Sequence, residues 1–290
     1  MRSLDHCVLP TASLEKARAR LSALGFTVAP DATHPFGTAN CCVFFPDGTY
    51  LEPLAVADEL RARVAAERGN TFVSRDRMYR ERFGDEGFSA VALASRDAQA
   101  DHARFVEIGL SAGPCLFFSR ALADGRGGED EASFRLAFAA PRHAECFFFT
   151  CERVKVPAVD RTFLQRHANG VTRLARILMT AQEPSGFTEF LSAFLDVDLP
   201  GEFTGGIEVN LANSAVSLLS PSLLRKVHGI EAEEQAGLRL RGLILQTRDL
   251  DAVRRRLTIA GIAFRVHEGR MVVPPASGQG AAFLFEESST

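Results

Sequence analysis

The chain has 290 residues, 46% of them hydrophobic and 24% charged, which is the make-up of a globular protein long enough to bury two cores. A formal net charge of −3 gives no general electrostatic pull toward nucleic acid or an anionic membrane. Six cysteines without C-x-x-C spacing, no signal-peptide apolar core and no apolar run approaching ~20 residues predict reduced thiols, a cytoplasmic location and no membrane partner.

In chain order, residues 7–9 form a short β-rich run stopped by Pro10. Ser13 is placed to cap a helix whose apolar stripe is Leu14, Ala17, Leu21 and Leu24, and Gly25 stands where a helix C′ glycine belongs. Strand-like segments follow at 26–28, 41–45 and 50–56, the last after a Pro46-Asp47-Gly48 turn. A helix-like connector covers 58–67. The stretch 75–82, where arginines alternate with acids, reads as a solvated face or linker.

The same order of elements then returns. Shifted by 236, residues 6–26 fall without gaps on 242–262 with 7 identities in 21 positions, Asp249 replacing Ser13 at the cap. Shifted by 84, they fall on 90–110, with Asp97 at the cap, Phe105 and Ile108 on the stripe and Gly109 at the stop; strands are expected at 134–139 and 146–151. A less regular copy begins near Thr172, with a strand at 174–180, a helix at 185–195, strands at 207–210 and 215–219, and a connector at 222–227. Strands at 270–273 and 281–285 complete the last copy. The expected class is therefore α+β, with four βαβββ units in two sequential pairs over residues 1–155 and 170–290.

Asp5-His6 opening the first strand and Tyr50-Leu51-Glu52 closing the unit resemble the vicinal oxygen chelate superfamily. Within it, HPFGTANCCVFF (34–45), DGTYLEPLAV (47–56), ASFRLAF (132–138) and RHANGVTRL (166–174) are similar to the glyoxalase-like domain family. The resemblance implies that each pair curls its sheet into an incomplete barrel of mixed and antiparallel strands. It also implies a divalent metal inside, held by residues of the first and last strands of each unit. Members include lyases, extradiol dioxygenases, epimerases and metal-free binding or resistance proteins, so the fold leaves the chemistry open.

Carried onto this chain, the pattern makes His6 and Glu52 the candidate metal ligands, for Zn, Mn, Ni or Fe. The gapless shifts place Ala90 and Gly242 where His6 stands, and Leu284 where Glu52 stands, so the second pair is expected to be a degenerate lobe without metal. A second carboxylate, Glu152 or Glu145, is expected to complete the shell or act as a base. A hydrogen-bonded His6–Glu52 pair without metal is the rival arrangement. His34 and Asn40 bracket a loop that can face the cavity mouth, and Arg120 can supply a cation for an anionic substrate. His167 and Asn169 are read as turn or interlobe residues, and His102, His228 and His267 as surface. The expected function is a metal-dependent lyase or isomerase acting on a small oxygen-rich metabolite. The alternative is a metal-free small-molecule binding protein, and a homodimer is compatible with either.

Overall fold

A computed structural model describes residues 1–123, 129–141, 144, 146–156, 160, 162–198, 201–203, 205–233 and 237–288. The first unit runs β1 (Leu4–Pro10), α1 (Leu14–Ala23), β2 (Ala32–Thr33), β3 (Thr38–Asn40), β4 (Val43–Phe44) and β5 (Tyr50–Val56). Helices α2 (Glu59–Glu67) and α3 (Thr71–Phe83) lead to the second unit. It comprises β6 (Ala90–Ser95), α4 (Ala98–Glu107), β7 (Leu116–Ala123), β8 (Glu129–Ala139) and β9 (Phe147–Lys155). The third has β10 (Val171–Thr180), α5 (Thr188–Leu195), β11 (Gly201–Phe203), β12 (Gly206–Asn210) and β13 (Ala215–Leu219). After α6 (Pro221–His228) the fourth has β14 (Arg239–Thr247), α7 (Leu250–Ile259), β15 (Arg265–His267), β16 (Arg270–Val273) and β17 (Ala282–Glu287).

The side chains of Ser13, Asp97 and Asp249 cap α1, α4 and α7, accepting from the first-turn amides of Lys16, of Gln99 and Ala100, and of Ala252. In every unit the first and last strands pair in parallel, and within each pair of units the two first strands meet antiparallel at the sheet centre. The sheet orders are β2-β3-β5-β1-β6-β9-β8-β7, with β4 also on β5, and β11-β12-β13-β10-β14-β17-β16-β15. The α+β class and the two paired, incomplete barrels are thus present, and each pair closes within one chain. The expected offsets agree with the register: Cys7 lies opposite Val91, 84 residues on, and Leu243, 236 residues on, lies opposite Ile177.

Alternation sorts the strand residues into cores. Cys7, Leu9, Leu51, Leu93 and Phe148 join Ile177, Leu243, Leu245 and Phe285 in one cluster shared by both sheets. Val8, Leu54, Ala90, Ala92, Phe147 and Phe149 face the inside of the first sheet. Leu178, Ile244, Val272 and Leu284 face the inside of the second.

Three expectations need correction. Residues 26–28 form no strand: the Phe26 amide bonds Leu21 O, the Thr27 amide His167 Nδ1, and Val28 O accepts from Arg18. The charged stretch 75–82 is no linker: it belongs to α3, started by the Asn70 side chain accepting from the Val73 amide and burying Phe72, Val73, Asp76 and Tyr79. The burial repeats at helical spacing, hidden among arginines of which Arg77 and Arg82 are exposed while Arg75 and Arg80 bond the carbonyls of Ala112 and Leu54. His228 is 4% exposed rather than on the surface, and burial lowers its pKa to about 4. Among the described residues, no helix is long and apolar enough to cross a membrane.

Candidate functional site

The site begins with an irregularity in β1. Residues 4 and 6 of a regular strand would share a face, yet Leu4 joins the core between the sheets while His6 points inside the first. The register with β6 breaks between Leu4 and His6, so Asp5 is the extra residue of a β-bulge. The bulge lets two consecutive side chains meet. Asp5 Oδ1 lies 2.6 Å from His6 Nδ1, and Asp5 Oδ2 accepts from Arg153 at 2.8 Å. On the far side of the ring, His6 Nε2 lies 3.2 Å from Glu52 Oε2. Glu52 comes from β5, two residues beyond Tyr50, whose ring stacks on His6 at 4.4 Å.

The other oxygen of Glu52 accepts from Asn40 Nδ2 at 2.7 Å, and His34 Nε2 lies 3.7 Å from it. His34 is oriented by Thr38 Oγ1, 2.9 Å from Nδ1, and by stacking on Phe36 at 5.0 Å. The inner wall is completed by Phe72, Phe118, Phe134, Leu136, Phe149 and Cys151. Phe118 of β7, at one edge of the sheet, reaches His34 and Phe36 at the other edge, so the curl nearly closes. Arg120, two residues beyond Phe118, borders this cavity and an outer one that holds Arg153 and Lys155. Its Nε and Nη1 are buried and meet no hydrogen-bond partner among the described residues.

The charges follow from these contacts. For His6, burial opposes the imidazolium, but the carboxylates of Asp5 and Glu52 outweigh it and raise the pKa above its ordinary value. For Glu52, burial favours the neutral acid, yet His6, His34 and Asn40 hold the pKa at about 2. Asp5 is likewise lowered, with burial outweighed by His6 and Arg153. His34 goes the other way: burial lowers it to about 4, with Glu52 opposing and Arg120 and His6 reinforcing the fall. The site therefore favours the imidazolium form of His6, between two carboxylates, and the neutral form of His34 beside it.

A pH prediction follows from His34. Its folded pKa lies below the unfolded value of 6.5, so its neutral burial stabilises fully above 6.5, and that contribution is lost as pH falls toward 4. At pH 4 and below the loss is on the order of 2–3 kcal/mol. Urea unfolding of wild type and His34→Gln at pH 7 and pH 4 checks this: the acid-induced loss should be smaller in the variant by about that amount.

Of the expected site residues, His6, Glu52, His34, Asn40 and Arg120 come together at one cavity. Glu152 does not. Phe147, Phe149 and Cys151 point inward, which turns Glu152 outward, where it accepts from the Ala98 amide at 3.0 Å and pairs with Arg135 at 3.1 Å. It holds the start of α4 and does not complete a shell around His6. Glu145 lies outside the described residues. Asp5, Tyr50 and Phe72 were missed. Asp5 was legible only as the neighbour of a candidate ligand, and a bulge leaves no mark on hydrophobic alternation. His167 and Asn169 are turn or interlobe residues as read: His167 Nδ1 accepts from the Thr27 amide, and Asn169 bonds Leu24 O and the Val171 amide.

The four strand positions that the superfamily pattern offers for a metal are occupied, by register, by His6, Glu52, Ala90 and Phe149. Two of the four carry no donor atom. His6 Nε2 already faces Glu52, and the second Glu52 oxygen is taken by Asn40. Among the described residues, no three His, Cys, Asp or Glu side chains are grouped to hold an ion. The residues present do not fit a four-donor centre. In the second sheet the same positions carry Arg176, Ser217, Gly242 and Leu284, and Arg176 is spent on Ser217 and Glu208, both at 2.6 Å.

Three solved structures show the same architecture. A hypothetical protein from Staphylococcus aureus is 12% identical, with TM-score 0.68, covering 99% of this chain and 100% of that one. A mutant 4-hydroxymandelate synthase from Streptomyces coelicolor is 14% identical, with TM-score 0.63 and coverage of 99% and 92%. A Mn(II)-bound glyoxalase from Novosphingobium aromaticivorans is 12% identical, with TM-score 0.54 and coverage of 98% and 81%. No curated protein gives a significant match. The profile of the glyoxalase-like domain matches residues 4–195, about two thirds of the chain. With its first strand, closing strand and inner cavity all inside that match, the chain belongs to the glyoxalase-like domain family.

Proposed function

We propose that the first-sheet cavity is an acid–base site for a small organic acid with an apolar body, catalysing a proton-transfer isomerisation or lyase reaction at a carbon next to an oxygen function. The observation that carries this is the pairing of His6 Nε2 with Glu52 Oε2 at 3.2 Å, inside a phenylalanine-lined cavity bordered by the Arg120 guanidinium, two of whose nitrogens are unpartnered among the described residues. A substrate oxygen entering between the two would accept from the charged His6 while Glu52 Oε2 removes the neighbouring C–H proton. The enolate charge that develops is then met by the imidazolium donor, and reprotonation from Glu52 at a different carbon, or loss of a leaving group, completes the step. A carboxylate held far down in pKa is a weak base, and the anionic substrate itself raises it by adding negative charge beside it. Asp5 keeps His6 in place and charged. Arg120 would bind the substrate carboxylate at the rim.

Proton exchange in D2O tests the proposal. A panel of 2-oxo and 2-hydroxy carboxylates with aryl or branched alkyl groups is incubated with the protein, and loss of the adjacent C–H signal is followed by NMR. A protein-dependent exchange rate that falls by about 100-fold or more in Glu52→Gln supports it. No exchange and no ligand-induced rise in melting temperature across the panel would overturn it.

A second reading is a metal-dependent lyase or isomerase. What favours it is the 3.2 Å separation of His6 Nε2 and Glu52 Oε2, with Asp5 behind the imidazole in the manner of a carboxylate that orients a metal-bound histidine. It has support from one structural neighbour being a Mn(II)-bound glyoxalase. Stoichiometric Zn, Mn, Ni or Fe in the purified protein, lost in His6→Ala, would replace the first reading with this one.

A further inference from the structure

The second sheet repeats the bulge that builds the first site. Its strand β14 pairs Gly242 with Leu178 and Leu240 with Met179, leaving Arg241 as the extra residue. Arg241 lies 236 residues after Asp5, and the flanking residues match: Leu4 and Leu240 both join the core between the sheets, whereas His6 and Gly242 begin the inward-facing set. The repeat unit thus delivers a polar side chain to the inner face at the same point of both barrels. In the first it is an acid that grips His6. In the second it is a cation.

The remainder of that inner face has been rebuilt as a cleft. Gly242 stands where His6 would, and Ile230, after α6, fills the space above it, its Cδ1 lying 3.0 Å from where a side chain at 242 would start. Beside this plug, Arg241, Ile230, Phe264, Val272, Pro274 and Ala282 line an open cleft of about 350 Å3. That is the size of a small-molecule site. Arg241 Nε and Nη2 are buried there without a hydrogen-bond partner among the described residues. Glu233 attracts the guanidinium and Arg239 repels it. Arg265 adds an exposed cation at the mouth, where the exposed Glu231 carboxylate lies 3.7 Å from Arg225. Desolvated guanidinium donors on an apolar wall remain costly until an anion accepts from them.

We infer that the second sheet carries its own ligand site, separate from the His6–Glu52 cavity, which takes a small organic anion with an apolar chain: the carboxylate on Arg241, the chain against Phe264, Val272 and Pro274. The site has no acid–base pair, since Gly242 and Leu284 replace His6 and Glu52, so it binds without chemistry.

Octanoate is the probe, titrated by calorimetry into the whole chain, with octan-1-ol as the neutral control. In the Arg120→Met background, which weakens carboxylate binding in the first cavity, octanoate should still bind at one site per chain, and octanol at least about tenfold more weakly. Arg241→Gln should lose octanoate affinity by tenfold or more. Ala263→Trp, an exposed residue on the cleft lip, should block binding without touching the guanidinium. Circular dichroism and melting temperature confirm that both variants fold. Saturable binding abolished by Arg120→Met but indifferent to Arg241→Gln and Ala263→Trp, or no saturable binding by wild type, would overturn the inference.

Discussion

Replacing Asp5 by alanine should lower the unfolding free energy by about 3–5 kcal/mol, more than any single exposed acid would cost. Asp5 is 5% exposed and bonded on both oxygens, to His6 Nδ1 and to Arg153. Its loss leaves a buried imidazole with Glu52 as its remaining carboxylate and Arg153 with none among the described residues. His6 should answer by losing charge, because one of the two acids that raise its pKa is gone. The sign of the pH dependence follows: stability from the raised His6 pKa is fully present below 6.5 and is lost as pH rises through the folded value. Urea unfolding of wild type and Asp5→Ala at pH 6 and pH 9 checks both parts. The gap between them should narrow at pH 9. Asp5→Asn, which keeps the shape and one acceptor, should recover part of the stability but not the charge.

Arg120→Met should separate binding from stability. Two buried nitrogens of the guanidinium have no hydrogen-bond partner among the described residues, and its carbon lies 5.7 Å from the Phe134 ring centroid as a soft contact. A thioether of similar length removes that unmet demand and packs against Phe118 and Phe134, so the ligand-free protein should gain about 1 kcal/mol. Affinity for a carboxylate ligand in the first cavity should fall by roughly 10- to 100-fold, as for loss of a charge-assisted hydrogen bond. Thermal unfolding with and without ligand reads both effects on one sample. A variant that loses stability and keeps affinity would mean that Arg120 serves the fold and not the ligand.

The repeat was the part of this molecule most legible in sequence. Caps, stops and apolar stripes recur at fixed offsets because each unit must start and end its helix in the same way against the same sheet. The offsets that align Ser13 with Asp97 and Asp249 are the ones the strand register shows. His6 and Glu52 were legible because each is polar in an apolar strand. Their surroundings were less so. Glu152 looked eligible because a carboxylate next to an apolar strand invites a functional role; only the parity of Phe147, Phe149 and Cys151 shows that it faces α4. Asp5 was concealed by a bulge, and Phe72 by a helix whose charged outer face resembles a linker. Arg241 was hidden for the same reason as Asp5: a single extra residue in a strand reverses which face a side chain meets, and hydrophobic patterning does not record it.

The central claim is that His6 is a charged acid held between Asp5 and Glu52. Nitrogen-15 NMR of the histidine rings, across pH 5 to 9, tests it most directly. The account predicts that both ring nitrogens of His6 stay protonated at pH 7 and titrate above the ordinary histidine range, with His34 neutral throughout. In Asp5→Ala the His6 titration should move down. A His6 ring that is neutral at pH 7, or whose Nε2 carries the signature of a bound metal, would contradict it.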